Sequence, residues 1–123
     1  MATLTPTLTL ASSDMNGDLL NLLVTDTLTV LGQVTTKQVV ATQTGVVFAA
    51  AANYTKAFVY LKNHSVTPSE IITIEKADGG DEYLFLGAGE FAFFPWASIV
   101  DLALDAATGS PVLEVRIYQE AAA

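Results

Sequence analysis

The sequence of 123 residues contains no cysteine and a single histidine, His64. Without cysteine the chain forms neither disulfides nor thiolate metal sites, which excludes a disulfide-stabilised secreted scaffold and cysteine-based catalysis. One histidine is too few for a cupin-type metal centre, and no serine lies in the Gly-x-Ser-x-Gly context of a nucleophile elbow. We therefore predict no catalytic residue, no bound metal and no cofactor, and a protein that is not an enzyme.

Positive charge is also scarce, because five Lys and Arg residues stand against 13 acidic residues, giving a net charge of −8 and a pI near 4.2. A surface with that field is repelled by phosphate backbones, so we expect no nucleic-acid partner.

No segment approaches the ~18 apolar residues of a membrane span. The N-terminus has neither a basic region nor a continuous apolar core, so it is not expected to be a signal peptide. These absences predict no membrane association and synthesis in the cytoplasm.

Charged residues of both signs make up only 15% of the sequence, whereas 51% of the residues are hydrophobic. A chain of this length forms one domain that buries roughly two thirds of its unfolded surface. Its interior is too small to take up all of that apolar material, so we infer protein partners. The alternative is a surface rich in Thr and Ala that stays soluble with few charges.

Leucine and threonine alternate from Thr3 to Leu10 around Pro6, which is the period-2 pattern of a β-strand. Because Pro6 cannot donate a hydrogen bond to a sheet, the segment is expected to be an edge strand or an N-terminal arm that pairs with another subunit. Its leucines are then candidate interface residues: Leu4, Leu8 and Leu10. We accordingly divide the chain into an arm or edge strand with its turn, residues 1–18, and a single β-sandwich domain, residues 19–123.

The rest of the chain contains short runs of β-branched and aromatic residues separated by turns rich in Gly, Pro, Asn and Asp. In the two runs nearest the C-terminus, Ile99 to Leu104 and Val112 to Gln119, apolar residues alternate with others. Residues such as Leu104 and Val115 are expected in the core, with Ala103 and Glu114 facing out. We expect Gly32 to separate the first two strands. This spacing predicts an all-β fold, an antiparallel β-sandwich of jelly-roll-like form. The predicted strands are Thr25 to Val30, Gln33 to Gln43, Val46 to Phe48, Ala57 to Asn63, Glu70 to Glu75, Tyr83 to Leu86, Glu90 to Phe94, Ile99 to Leu104 and Val112 to Gln119.

The stretch from Tyr83 to Trp96 holds more aromatic residues than any other part of the chain. We interpret it as a β-hairpin whose tight turn is Gly87-Ala88-Gly89, because glycine adopts the backbone conformations that a reversal needs. Phe94 and Trp96 are candidate interface residues, and packing in a core or an interface is the favoured role of the rings. The alternative is a sugar-stacking platform at Trp96, of the kind that β-sandwich modules use to bind carbohydrates.

Two acidic turns provide clusters of oxygen ligands. The first lacks the pattern of an EF-hand, because Gly17 occupies the fourth place instead of the sixth and Thr25 stands where a Glu belongs. The second is a flexible turn without the dry environment that raises the pKa of a catalytic acid. We interpret both as solvated turns, with weak calcium binding as the alternative. Their candidate ligands are Asp14, Asn16 and Asp18 in the first turn, and Asp78 and Asp81 in the second.

Three runs of the sequence carry a resemblance: Phe58-Val59-Tyr60-Leu61-Lys62-Asn63, Ile71-Ile72-Thr73-Ile74, and Leu86-Gly87-Ala88-Gly89-Glu90-Phe91-Ala92-Phe93-Phe94-Pro95-Trp96. With them the chain, from about residue 56 to residue 120, resembles small virion structural proteins of tailed bacteriophages. The resemblance implies a β-sandwich, often jelly-roll-like, that decorates, cements or joins parts of a particle. It transfers no catalytic residue.

From the resemblance and the apolar excess we expect a non-enzymatic structural virion protein, namely a capsid decoration or cement protein that bridges neighbouring subunits. It would be synthesised in the host cytoplasm and located in the virion, with the major capsid protein or other virion proteins as partners. We also expect a homo-oligomer, with a trimer preferred by analogy with protruding phage β domains. The alternative function is a carbohydrate-binding β-sandwich module for attachment to the host surface.

Overall fold

The computed structural model describes residues 1–14, 21–77 and 81–121. Those residues form eleven β-strands and one 3-10 turn at Ala51–Asn53, and every strand pair in them is antiparallel. The strands are β1 (Ala2–Leu4), β2 (Thr7–Leu10), β3 (Leu22–Thr25), β4 (Leu28–Val40), β5 (Val46–Ala49), β6 (Ala57–Asn63), β7 (Ile72–Lys76), β8 (Glu82–Leu86), β9 (Phe91–Trp96), β10 (Leu102–Asp105) and β11 (Val112–Glu120).

Strands β4 to β11 build two packed sheets. One sheet has the order β4-β11-β6-β9 and is extended by β1 beyond β4, and the other has the order β5-β10-β7-β8. Counted from β4, the eight strands therefore follow the orders 1-8-3-6 and 2-7-4-5, which is the connectivity of a jelly roll built from two Greek keys. The predicted antiparallel β-sandwich of jelly-roll form is confirmed.

The core lies between the two sheets and follows the period of two that strands impose. On β11 the alternate residues Leu113, Val115 and Ile117 are at most 1% exposed, as the sequence pattern predicts. Ala103 was expected to face solvent, yet it is only 4% exposed. Its cross-strand neighbours are Val47 and Glu75, and their longer side chains flank the small methyl group on the outer side of the sheet.

Strand β4 is a single strand of 13 residues, so Gly32 does not break it. Pairing with β11 shifts between Val34, which lies opposite Tyr118, and Val30, which lies opposite Glu120. Three residues of β4 therefore face one residue of β11 in a bulge, and Gly32 is the middle residue of the three. Glycine suits such a bulge because it tolerates the local kink, and the ladder continues on both sides.

The turn at Gly87 to Gly89 exists, but the hairpin predicted around it is wrong. The Glu90 amide donates to the Gly87 carbonyl over 3.0 Å, and Gly89 has a φ of 78°. However, β8 pairs with β7 in one sheet and β9 pairs with β6 in the other. The turn therefore carries the chain from one sheet of the sandwich to the other. The residues of the turn are equally suited to a hairpin within one sheet and to such a crossing, so the turn sequence alone does not distinguish the two.

Within the described residues, Asn63 is the fully buried polar side chain of the core. Its Nδ2 donates to the carbonyls of Glu70 and Leu86, each over 2.9 Å, and its Oδ1 accepts from the Ser65 amide over 2.9 Å. The Asn63 backbone also binds the turn, because its carbonyl accepts from the Gly89 amide over 2.9 Å. One amide side chain thus joins the end of β6 to the end of β8.

The N-terminal segment is divided at Pro6 rather than continuous from Thr3 to Leu10. Strand β1 pairs with the start of β4, where Leu4 lies opposite Leu28. Strands β2 and β3 pair with each other as a two-stranded hairpin that is hydrogen-bonded to neither sheet in the described part of the chain. The boundary that the sequence suggested, between residues 18 and 19, falls in the connection between β2 and β3, where residues 15–20 are outside the described ranges.

Candidate interaction surfaces

The β2–β3 hairpin presents an apolar face that the jelly-roll core does not cover. Cross-strand pairing sets Leu8 opposite Val24 and Leu10 opposite Leu22, so the four side chains share one face. They are 42% to 50% exposed. An isolated two-stranded hairpin is marginally stable in water, and packing against another surface is its usual source of stability. Leu8 and Val24 are turned toward the outer side of the five-stranded sheet across an open gap, and the exposed part of this leucine face is available for a partner.

The hairpin lies over the outer side of the five-stranded sheet and leaves a gap beneath it. Leu8 and Val24 line one side of this gap, and Phe58, Tyr60 and Phe93 line the other. Its volume is about 560 Å³, and it is partly open to solvent. We call this gap the hairpin slot.

Aromatic rings form rows across the outer side of the same sheet. The strand registers place Tyr118, Phe58 and Pro95 side by side, and Arg116, Tyr60 and Phe93 in the next row. The rings of Phe58 and Phe93 stack with centroids 6.4 Å apart and planes 15° apart. Phe58 is only 5% exposed, because it lies beneath the hairpin, whereas Phe93 and Phe91 are 38% and 61% exposed. The accessible rings on this side are therefore those of β9.

Basic groups accompany these rings. Arg116 Nε donates to Glu114 Oε2 over 2.6 Å, and His64 Nε2 lies 2.6 Å from Glu114 Oε1. The hydrogen bonds from His64 and Arg116 hold the pKa of Glu114 below its ordinary value. Lys62, in the row with Glu114 and Phe91, forms no ion pair with any described residue. Glu114 and Glu120 balance Lys62 and Arg116 on this side of the sheet. We call the rings Phe58, Tyr60, Phe91, Phe93 and Tyr118 the aromatic face.

The outer side of the four-stranded sheet is acidic. Burial raises the pKa of Glu75, and the neighbouring negative charges of Asp105 and Glu82 raise it further. The strands of this sheet contain one basic residue, Lys76, beside those three carboxylates. Phe85 projects from the edge strand β8 and is 64% exposed. We call the set Glu75, Glu82, Phe85 and Asp105 the acidic face.

Trp96 and Phe94 lie on the inner side of β9. Trp96 is 7% exposed, and its ring packs beside that of Tyr54 with centroids 5.7 Å apart. Its Nε1 has no hydrogen-bond partner among the described residues. Phe94 is half-buried and packs against the core. At this low exposure Trp96 is not an exposed stacking platform of the kind that the carbohydrate-binding alternative requires, although it lines a cavity of about 550 Å³ together with Phe94.

The structure therefore distributes the five sequence-predicted interface residues over three places: Leu4 half-buried on β1, Leu8 and Leu10 on the hairpin, and Phe94 and Trp96 inside the sandwich. Sequence reasoning missed the partner strand β3 and the outward rings of β9. The sequence did contain a signal for these outward rings. Phe91 and Phe93 lie on one side of the strand and Phe94 and Trp96 on the other, so both sides are apolar. A half-buried strand has one polar side.

No three His, Asp or Glu side chains among the described residues are arranged to hold a metal ion. The two acidic turns proposed for calcium include Asn16, Asp18 and Asp78, which lie outside the described ranges. His64 is 41% exposed at its side chain and contacts Glu114. No helix in the described residues is long and apolar enough to cross a membrane.

No protein-family model matches this chain, and no curated protein matches it. A solved structure that is distantly similar to this chain comes from work described as "Bacillus endospore appendages form a novel family of disulfide-linked pili". The two chains are 15% identical, with a TM-score of 0.47 over 75% of this chain and 90% of that chain. At this distance the similarity carries no information on function.

Proposed function

We propose that this chain is a non-enzymatic structural protein of a tailed bacteriophage virion, a capsid decoration or cement protein that bridges neighbouring subunits. The observation that carries the proposal is the leucine face of the β2–β3 hairpin, which is displayed outside a complete jelly-roll core. The resemblance of residues 56 to 120 to phage virion proteins supports the same role.

The leucine face supplies enough binding energy to matter at each contact. Four side chains that are 42% to 50% exposed would each lose about half of their surface to a partner. Completing that burial is worth roughly 4 kcal/mol before the costs of ordering and association. Such a contact is weak alone, yet many copies acting together on a repeating particle surface bind tightly.

The charge of the chain is compatible with a place on the outside of a particle. A net charge of −8 repels packed DNA, so the subunit adds contacts between shell proteins without binding the genome. The hairpin itself carries no charge in β2 or β3, so it can approach an apolar groove without desolvating an ion.

Mass spectrometry of virions produced from the genome that encodes this chain tests the proposal directly, because a decoration protein must be present in stoichiometric amounts. A virion that lacks the chain would contradict it. The hairpin is tested with Leu10→Ser and Leu22→Ser together, which should lower particle occupancy without lowering the melting temperature of the free protein. Thr9→Ala, on the opposite face of the hairpin, is the control and should leave occupancy unchanged.

A further inference from the structure

The cavity beside Trp96, of about 550 Å³, opens between the last strands of the two sheets. Strand β8 ends the four-stranded sheet, β9 ends the five-stranded sheet, and both contribute to the cavity wall. Ile74 and Leu102, which are at most 3% exposed, lie at its inner end, whereas Tyr83 and Ile99, which are 49% and 82% exposed, lie at its mouth. The cavity therefore reaches from solvent to the core. We call it the edge cavity.

The wall of the edge cavity is apolar. It includes Leu84, Ala92 and Phe94, and the described residues that line it contain no Lys, Arg, His, Asp or Glu. A charged group inside would find no counter-ion there, and an unpaired buried charge is strongly disfavoured. A volume in this range with mostly apolar walls is typical of sites that enclose small organic molecules. The wall therefore favours a neutral, apolar ligand.

One buried polar group of the wall lacks a partner. Trp96 lines the edge cavity, and its buried Nε1 donates to no acceptor in the part of the chain that the structure describes. A buried indole N–H usually has a hydrogen-bond partner, because leaving it unpaired costs free energy. A ligand that places a carbonyl oxygen beside this ring would supply the missing acceptor.

The rim of the edge cavity is fixed in place. Ser98 has a φ of 61°, and its Oγ lies 2.7 Å from the Ala51 carbonyl oxygen and 2.9 Å from the Tyr54 carbonyl oxygen. The Ala51 amide donates to Asp101 Oδ1 over 2.7 Å, so the rim is joined to the 3-10 turn at two points. Left-handed backbone at a residue other than glycine persists only where the surrounding structure determines it. A preformed cavity of this kind binds a ligand without the cost of ordering its walls.

We propose that the edge cavity binds a neutral, apolar small molecule with one carbonyl oxygen, a ketone or an ester, and that the Trp96 indole N–H donates to that oxygen. A sugar is a poor occupant, because its hydroxyl groups would find few partners on an apolar wall. No residue of the β2–β3 hairpin is among the described residues that line the cavity, so the site is separate from the leucine face and independent of the virion role.

Three probe molecules of similar size test this chemistry by isothermal titration calorimetry. Acetophenone has a carbonyl group, isopropylbenzene has a methyl group in place of that oxygen, and benzoate is charged. At neutral pH acetophenone should bind saturably, and more tightly than benzoate by about tenfold or more. Trp96→Phe removes the donor, so it should weaken acetophenone binding about fivefold and change isopropylbenzene binding by less than about twofold. Absence of saturable acetophenone binding, benzoate binding of equal strength, or equal weakening of both neutral probes would each overturn the proposal.

A second pair of variants tests the location. Ala92 lies opposite the buried Leu61 and packs against the core, so Ala92→Phe fills the edge cavity and should abolish acetophenone binding. The control is Ala107→Phe, the same change at an exposed position between β10 and β11, which should bind like the original protein. Circular dichroism melts establish that each variant is folded.

The original protein also reports binding directly. The chain has one tryptophan, so its NMR spectrum contains one indole N–H signal, which should move downfield as acetophenone is added. Isopropylbenzene, which has no acceptor, should not produce this downfield shift. Unchanged acetophenone binding by the Ala92→Phe variant, or an indole signal that acetophenone leaves in place, would contradict the site.

Discussion

Asn63 shows how much a single side chain contributes to this fold. It is completely buried, and three of the four hydrogen-bonding positions of its amide are used, including both N–H donors. Asn63→Asp keeps the size of the side chain but replaces two donated hydrogen bonds with a carboxylate that faces two carbonyl oxygens. We expect a loss of about 3 kcal/mol in the free energy of unfolding, seen as a melting temperature lower by roughly 10 °C.

The control for this substitution is Asn53→Asp, which makes the same chemical change at an exposed position in the 3-10 turn. Its melting temperature should remain close to that of the original protein. If both variants melt alike, the buried amide network does not stabilise the sandwich as described.

Two glutamates give the stability of the protein opposite dependences on pH. The pKa of Glu114 is lowered in the folded state, so its stabilising effect is present at neutral pH and is lost as the pH falls. The pKa of Glu75 is raised above its ordinary 4.5, so its ionisation costs stability as the pH rises past that value.

We therefore expect Glu75→Gln to raise the melting temperature at pH 7 and Glu114→Gln to lower it. Each change in unfolding free energy should be no more than about 1 kcal/mol, because both side chains are partly solvated. Thermal melts between about pH 3 and pH 7 check this, since both differences should shrink at the acidic end, where the carboxylates are protonated. Differences of unchanged size across that range would show that the charges are not their cause.

At the level of elements, β4 presents an open edge. Strand β1 pairs only with Leu28 to Val30, so the side of β4 from Leu31 to Val40 has no neighbouring strand among the described residues. Long open edges invite pairing between molecules, and a lysine on the edge strand is a common protection. Lys37 is the only charged residue between positions 27 and 45.

Lys37→Val should therefore cause edge-to-edge aggregation, measured as a rise of light scattering on standing at concentrations where the original protein stays clear. Lys37→Glu should not, because it reverses the charge and keeps the edge ionised. Aggregation of the glutamate variant to the same extent would indicate a specific need for lysine and contradict the edge argument.

The N-terminal strands are expected to be dispensable for the fold. The residues that form the main core cluster lie between Ala41 and Ile117, outside β1 and β2. Deleting residues 2 to 10 should leave a cooperative thermal transition and lower particle occupancy, because it removes β2 and leaves β3 without its partner. A truncated protein that does not fold would show that β1 and β2 are integral strands of the sandwich.

Strand positions and core alternation could be predicted from the sequence because both depend on neighbours within the same strand. Leu113, Val115 and Ile117 alternate with polar residues, and burial on one side follows from that pattern. The path of the chain after Leu86 could not be predicted in the same way. A tight turn with Gly87 and Gly89 serves equally well within one sheet or between two, and only the packing of the whole sandwich decides between them.

For the molecule as a whole, the sequence revealed the net charge but not its distribution. Lys62 and Arg116 come from different strands, and only the order of the sheet brings them to one side. Leu8 and Leu10 were recognisable as interface candidates because their own strand alternates. The slot beneath them was not recognisable, since it depends on where the hairpin lies over Phe58 and Phe93.

The position of β11 makes the five-stranded sheet depend on one distant pairing. This strand lies between β4 and β6, and it places Arg116 and Tyr118 on the outer side of the sheet. Pairings between such distant segments form slowly, on the order of milliseconds to seconds. Until β11 is in place, β4 and β6 have no common neighbour, so the rows of rings that cross this sheet form only when that pairing forms.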